Sequence, residues 1–109
     1  MRTLKFIVNG QTISLDPKCD FSGLIPGTKG YLQAEFSFSD EWKNCTKVAA
    51  FFSNLGREYK PQVINNKSIC NIPEEALQKS IFKVQVIGQR DDYKIRTDRV
   101  AVYQKGGNE

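Results

Sequence analysis

Residues 31–73 decide the fold, and they read YLQAEFSFSDEWKNCTKVAAFFSNLGREYKPQVINNKSICNIP. Apolar and polar side chains alternate along residues 32–38, which is the pattern of a strand with one buried face, and we predict this strand over residues 31–38. The apolar run 48–52 lies within residues 46–53 and favours a central strand that is covered on both faces. Turn-forming residues follow at 54–56 and 65–66, and each precedes a further strand pattern. The stretch therefore predicts a series of β-strands.

The residues before this stretch predict a β-hairpin followed by an irregular connection. Leu4, Phe6 and Val8 alternate with other residues, NGQT follows, and Ile13 and Leu15 resume the alternation. The Asn-Gly pair suits the positive φ angles of a tight turn between two strands. Residues 17–30 are interrupted by prolines and glycines, and they predict an irregular connection across one end of the fold.

The residues after the stretch predict a short helical turn and three more strands. Pro73 and the two glutamates after it suit the first turn of a helix. Strand patterns follow at residues 81–87, 93–97 and 99–103, and residues 105–109 are expected to be a frayed tail. Short strands about ten residues apart are typical of β-sandwiches and barrels. We therefore predict one all-β domain over residues 1–109: an Ig-like β-sandwich of about seven to nine short antiparallel strands with one short helical turn, or a small β-barrel.

The composition argues against an enzyme. The chain has 109 residues, no histidine and three cysteines. Without histidine there is no imidazole to activate a serine or cysteine nucleophile. The cysteines are widely separated and lack the CxxC spacing of a zinc site, and no glycine-rich phosphate loop is present. We expect no enzymatic activity, no cofactor and no metal.

No segment of the sequence suits a membrane or a secretion signal. The first residues, MRTLKFIVNG, lack the apolar core of a signal peptide. No apolar run approaches the ~20 residues that a membrane span requires. We expect no membrane association, and synthesis in a cytoplasm.

The positive charge of the chain is concentrated near its C-terminus. The net charge is +4, and residues 79–109 contain seven lysines and arginines against four acids. Arg90, Lys94, Arg96 and Arg99 predict a basic surface on the last strands. These side chains could contact nucleic acid, or they could protect an edge strand from unwanted pairing. Aspartates interrupt the basic series, and this interruption argues against nucleic acid as the partner.

Trp42, the single tryptophan, has two interpretations. Beside a turn, its ring could stack on a sugar or a base. It could instead be a plug of the core at one end of the sandwich, covered by other aromatic side chains. The sequence leaves both interpretations open.

Three segments of the chain carry a resemblance to a known group of proteins: FSFSDEWKNCTKVAAFF, SICNIPEEAL and FKVQVIGQRDDYKIRTDRVAVY. Together they resemble small Ig-like proteins and N-terminal modules encoded among the virion genes of tailed phages and prophages of Gram-positive bacteria. The resemblance covers residues 31–104, mainly at core and turn positions. The matching residues are Trp42, Lys47, Ala50, Phe51, Cys70, Ile72, Pro73, Leu77, Val84, Val86, Gly88, Thr97, Val100 and Val102.

The resemblance implies a structural part of a virion, synthesised in the cytoplasm of a bacterial host. Such a protein would dock on a capsid or tail lattice, as a capsid decoration protein or as a tail or baseplate attachment module. We expect the N-terminal hairpin to be the docking edge, with homo-oligomers forming on the symmetric lattice. Its residues are Leu4, Phe6, Val8, Ile13 and Leu15. The alternative is a carbohydrate-binding or adhesive module that contacts a host surface glycan through Trp42 or through exposed tyrosines.

Overall fold

The computed structural model describes residues 1–105 and confirms the all-β sandwich. Two sheets and two short 3-10 helices account for the regular structure of this part of the chain. The expected tail, 105–109, lies outside the described residues except for Lys105. The strands are β1 (Arg2–Asn9), β2 (Thr12–Leu15), β3 (Leu32–Phe38), β4 (Thr46–Ser53), β5 (Gln62–Val63), β6 (Ile69–Asn71), β7 (Ile81–Arg90), β8 (Tyr93–Arg96) and β9 (Val100–Tyr103); the helices are Asp40–Trp42 and Glu74–Gln78.

The first sheet has the order β2-β1-β3-β6 and contains one parallel pair. β1 and β2 form the expected antiparallel hairpin. β1 and β3 are parallel, with Phe6 opposite Phe36, which differs from the antiparallel arrangement expected for all strands. A parallel pair needs a crossover of a dozen or more residues, and the irregular connection between β2 and β3 provides it. Phe21 holds this connection on the core, since its ring lies 5.7 Å from the Phe6 ring.

The second sheet has the order β5-β4-β7-β8, and β9 also pairs with β7. β9 pairs with the first half of β7 and β8 with the second half, so both short strands lie on the same side of β7. Thr97 joins them: its N–H donates to the Val86 carbonyl, and the Val86 N–H donates to Thr97 Oγ1, both at 3.0 Å. Thr97 is buried. Its backbone and hydroxyl therefore keep the sheet continuous at the break between β8 and β9.

The core lies between the inner faces of the two sheets. Phe6 and Phe36 stack with their ring centres 5.4 Å apart in the first sheet. In the second sheet, Phe51 and Phe82 pack at 6.3 Å. The alternation along β1 and β3 explains this core, because side chains of one parity all point inward. The buried cluster is Leu4, Phe6, Val8, Ile13, Leu24, Leu32, Ala34, Phe36, Trp42, Ala49, Phe51, Ile64, Cys70, Ile72, Ala76, Leu77, Phe82, Val84, Val86 and Val102.

Candidate docking surface

The N-terminal hairpin does not present β1 as a free edge, which corrects the predicted docking edge. β1 lies between β2 and β3 in the first sheet. Leu4, Phe6 and Val8 are at most 1% exposed, so their alternation is that of core residues. Their side chains point into the sandwich, and the backbone of β1 is paired on both sides.

The other half of the predicted docking edge is β2. This strand lies at the edge of the sheet, but the backbone N–H at its centre already has a hydrogen-bond partner. Ile13 is buried and Leu15 is half-buried. The Ile13 N–H donates to Asp98 Oδ1 at 3.0 Å, and the Asp98 N–H donates to the Gln11 carbonyl at 2.9 Å. The link between β8 and β9 therefore closes this edge against strand addition.

Trp42 is the core plug and not a stacking platform. It is 0% exposed, and its indole Nε1–H donates to the Gly10 carbonyl at 2.8 Å. The Phe38 ring lies 5.4 Å away. A buried tryptophan needs a partner for its N–H, and the turn between β1 and β2 supplies one. No sugar or base can reach this ring, so the predicted ligand-stacking site is wrong.

Gly88 allows the Trp42 ring to lie against β7. The sequence pattern predicts a strand over residues 81–87 that ends before this glycine, but Gly88 lies inside β7. A Cβ atom at this position would stand 2.8 Å from two carbons of the Trp42 ring, closer than packed carbon atoms approach one another. The glycine is therefore required for the close approach of the indole.

The four predicted basic residues do not form one uniform surface. Arg90 is half-buried, and its guanidinium lies 4.5 Å from the centre of the Tyr93 ring and donates to the Lys43 carbonyl. Lys94 and Arg96 are exposed on β8. Arg99 lies in the link between β8 and β9, and its guanidinium lies 3.6 Å from the centre of the Phe52 ring. Two of the four cations thus cover aromatic rings of the protein itself.

The outer face of the first sheet shows the polarity expected for a solvated surface. Thr3 is opposite Gln33, and Lys5 is opposite Glu35. In the next outward-facing pair, Ile7 is opposite Ser37. Although this pair of strands is parallel, it shows the alternation of a sandwich sheet with one apolar and one polar face. The polarity of this outer face can be compared with that of the outer face of the second sheet.

The outer face of the second sheet is apolar by comparison, and we call it the apolar face. Ala50 and Phe52 are buried but do not belong to the core cluster between the sheets. Val48 is opposite both Ile87 and Val63, and opposite side chains lie on the same face of a sheet. The apolar members of this face are Val48, Ala50, Phe52, Val63, Ile81, Ile87, Ala101 and Tyr103, and the polar residues Thr46, Lys83, Gln85 and Gln89 lie among them.

Several members of the apolar face are open to solvent. Val63 is 70% exposed and Tyr103 is 67% exposed. Val48, Ile81 and Ile87 are half-buried. A sheet face of this composition, next to a polar face on the other side of the same sandwich, is typical of a protein interaction surface.

Cationic side chains accompany the apolar face. Arg96 is opposite Ile87, and Lys83 is opposite both Phe52 and Ala101. Arg99 covers Phe52. One acid, Glu58, pairs with Phe52 from the far side of β4. The face therefore combines apolar area with an excess of positive charge, a combination that suits a partner with carboxylates around an apolar centre.

One part of this face is visible in the sequence, as the apolar run within β4. The unbroken run Val48–Phe52 places apolar side chains on both faces of β4, and it predicts that both faces are covered. The prediction is correct for the inner face of β4, which packs in the core. On the outer face, Phe52 is covered by Arg99, whereas Val48 and its neighbours Val63 and Ile87 keep exposed surface.

Comparisons with protein-family models, with curated proteins and with solved structures give no match to this chain. Within residues 1–105, no group of three or more histidine, cysteine, aspartate or glutamate side chains is placed to hold a metal ion. In the same part of the chain, no helix has the length and apolar character needed to span a membrane.

Proposed function

We propose that this chain is a non-enzymatic structural protein of a phage virion that docks on a capsid or tail lattice, as a decoration protein or an attachment module, through the apolar face. The difference in polarity between the outer faces of the two sheets carries the proposal. The proposal that the assembly is a virion rests on the sequence resemblance of residues 31–104.

The apolar face suits a lattice contact better than the N-terminal hairpin does. The exposed parts of Val63, Ile87 and Tyr103 lie on regular strands, so little conformational entropy is lost when a partner covers them. Apolar surface removed from water contributes roughly 25 cal/mol per Å². A single contact of this kind is modest, but many copies on a symmetric lattice bind together tightly.

The carbohydrate-binding alternative keeps the exposed tyrosines, Tyr31 at 48% and Tyr103 at 67%, but it loses Trp42. Trp42 is 0% exposed, so its ring is not available to stack on a glycan. No other feature of the described residues favours that function over docking on a protein lattice.

The proposal is tested with particles that lack this chain. Purified protein is added back, association is measured by co-sedimentation, and the bound density is located by electron microscopy. The variants Val63→Asp and Tyr103→Asp place a charge on the apolar face at exposed positions, so we expect folding to be preserved. Ile25→Asp is the matched control, because Ile25 is 65% exposed and lies outside the face.

We expect each face variant to weaken association at least about tenfold, while the control binds as the natural chain does. Density on the shell would identify a decoration protein, and density on the tail an attachment module. Equal binding by the face variants and the control would reject the apolar face as the docking surface. Failure of the natural chain to join any particle would reject the virion role.

A further inference from the structure

The turn between β4 and β5 presents an apolar side chain to solvent in a fixed position. Leu55 is 96% exposed. The Gly56 N–H donates to the Ser53 carbonyl at 3.0 Å, the Arg57 N–H donates to Ser53 Oγ at 3.0 Å, and the Ser53 N–H donates to the Arg57 carbonyl at 2.8 Å. Gly56 supplies the positive φ of 93° that closes the turn. These hydrogen bonds fix the backbone of the turn on either side of Leu55, so its side chain extends from a defined position into solvent.

A groove lies beside this side chain. Its volume is about 490 Å³, which is within the range of sites that take a small ligand or a few side chains. Leu55, Tyr59 and Ile81 supply its apolar walls. Tyr59 is fixed there by a hydrogen bond from its N–H to the Phe51 carbonyl at 2.8 Å. The groove therefore has apolar walls, and the backbone that carries one of them is hydrogen-bonded to β4.

The charged groups that line the groove are both positive. Arg57 and Lys79 are among its lining residues, and the lining contains no aspartate or glutamate. Neither cation belongs to a salt bridge within residues 1–105. Glu58 and Glu75 lie in a neighbouring depression that shares Arg57 and Lys79 with the groove. A neutral ligand would leave both cations without a partner, whereas a carboxylate would form charge-assisted hydrogen bonds with them.

From this arrangement we propose that the groove binds a protein segment in which an apolar side chain stands next to a carboxylate. The apolar side chain packs between Leu55 and Ile81, and the carboxylate pairs with Arg57 or Lys79. The site is separate from the Val63 and Ile87 part of the apolar face. It does not depend on the virion role proposed above.

Two acetylated and amidated peptides, GDLFDG and GKLFKG, test the charge requirement with the same apolar content. Binding to the full chain is followed by changes in amide chemical shifts in nuclear magnetic resonance spectra. We expect GDLFDG to shift the amides of residues 53–59 and 79–81 with a Kd of about 1 mM, and GKLFKG to bind at least about tenfold more weakly. Equal shifts for both peptides, or no shift in the groove up to about 10 mM of either, would overturn the proposal.

Two variants locate the interaction. Arg57→Glu combined with Lys79→Glu should reverse the preference, so that GKLFKG binds more tightly than GDLFDG. Leu55→Ser should weaken binding of GDLFDG, while Ile25→Ser, a matched change of an exposed apolar residue elsewhere, should not. An unchanged preference in the double variant would also overturn the proposal. Because particles are not part of this assay, its outcome is independent of whether the chain joins a virion.

Discussion

The guanidinium of Arg99 lies 3.6 Å from the centre of the Phe52 ring, on the outer face of the second sheet. Phe52 is on β4, and β7 separates β4 from the strand that follows Arg99. The long aliphatic stem of the arginine thus crosses a neighbouring strand to reach the ring. Phe52 is 5% exposed although it points away from the core. The side chain of Arg99 therefore shields the Phe52 ring from solvent, a role that apolar side chains fill in the core.

Replacement of Arg99 by alanine should destabilise the fold through lost contact with Phe52. An exposed cation–π contact contributes about 0.5–1 kcal/mol, so we expect the free energy of unfolding to fall by about that amount. Urea unfolding followed by circular dichroism measures the change. Lys94→Ala removes an exposed charge on the same edge of the sheet and should have no effect. Equal changes in the two variants would contradict the role given to Arg99.

Gly88→Ala should destabilise the protein because the new methyl group meets the Trp42 ring. Overpacking a filled core costs about 1–3 kcal/mol, and the backbone of Gly88 is not in a conformation that requires glycine. The cost should be much smaller in a Trp42→Phe background, where the ring that meets the methyl group is smaller. A double-mutant cycle of unfolding free energies measures this coupling. An equal cost of Gly88→Ala in both backgrounds would contradict it.

Cys70 should lower the stability of the fold at high pH. Burial raises the pKa of the Cys70 thiol from 9.0 to about 12. Between these values the unfolded chain loses the thiol proton and the folded chain keeps it. The free energy of unfolding therefore falls as pH rises from 9 to 12, by at most about 1.4 kcal/mol per pH unit.

The contribution of Cys70 is measured as the difference between the natural chain and Cys70→Val, because other groups also titrate in that window. At pH 8, iodoacetamide should modify the half-exposed Cys19 but leave Cys70 unmodified in the folded state. A pH dependence that is identical in the two chains, or rapid modification of Cys70 in the native protein, would show that the thiol is not protected by burial.

Asp98→Ala should open the edge of β2. The substitution removes the acceptor of the Ile13 N–H, and an unpaired, partly buried backbone group costs about 1–3 kcal/mol. It also exposes a strand edge, so we expect self-association to increase in sedimentation velocity experiments. Asp92→Ala removes an exposed acid from the turn between β7 and β8 and serves as the control. A monomeric Asp98→Ala of unchanged stability would contradict this account.

The strands themselves were predictable because local patterns determine them. β4 occupies the predicted residues Thr46–Ser53, and β3 begins one residue after the predicted start, at Leu32. The helical turn predicted after Pro73 also forms, as Glu74–Gln78. In each case the spacing of apolar residues or the turn chemistry acts within a few residues of the chain.

The pairing of β1 could not be predicted, because alternation is the same in an edge strand and in a central one. The pattern of Leu4, Phe6 and Val8 fixes which side chains point inward, but it does not show that β3 will lie beside β1 in parallel. That pairing depends on where the connection between β2 and β3 returns to the core. The choice between the two interpretations of Trp42 also required distant residues, namely Gly10 and Gly88.

The candidate site was predictable only in part. The basic residues Arg96 and Arg99 were identified from the sequence, and both lie with the apolar face. The apolar members of that face were missed because an exposed valine and a buried one look alike in a sequence. Val63 and Ile87 become recognisable as the two neighbours of Val48 only when the register of β4 against β5 and β7 is known.

The central position of β1 has a consequence for synthesis on the ribosome. β1 is translated before the other strands of this domain, whereas its neighbour β3 ends at Phe38 and the opposite sheet needs β7, which ends at Arg90. At roughly 5–20 residues per second, translation from one point to the other takes roughly 3–10 s. During that interval the inner face of the first hairpin stays uncovered and can bind chaperones or other nascent chains. The yield of folded protein is therefore tied to how quickly translation reaches the end of β7.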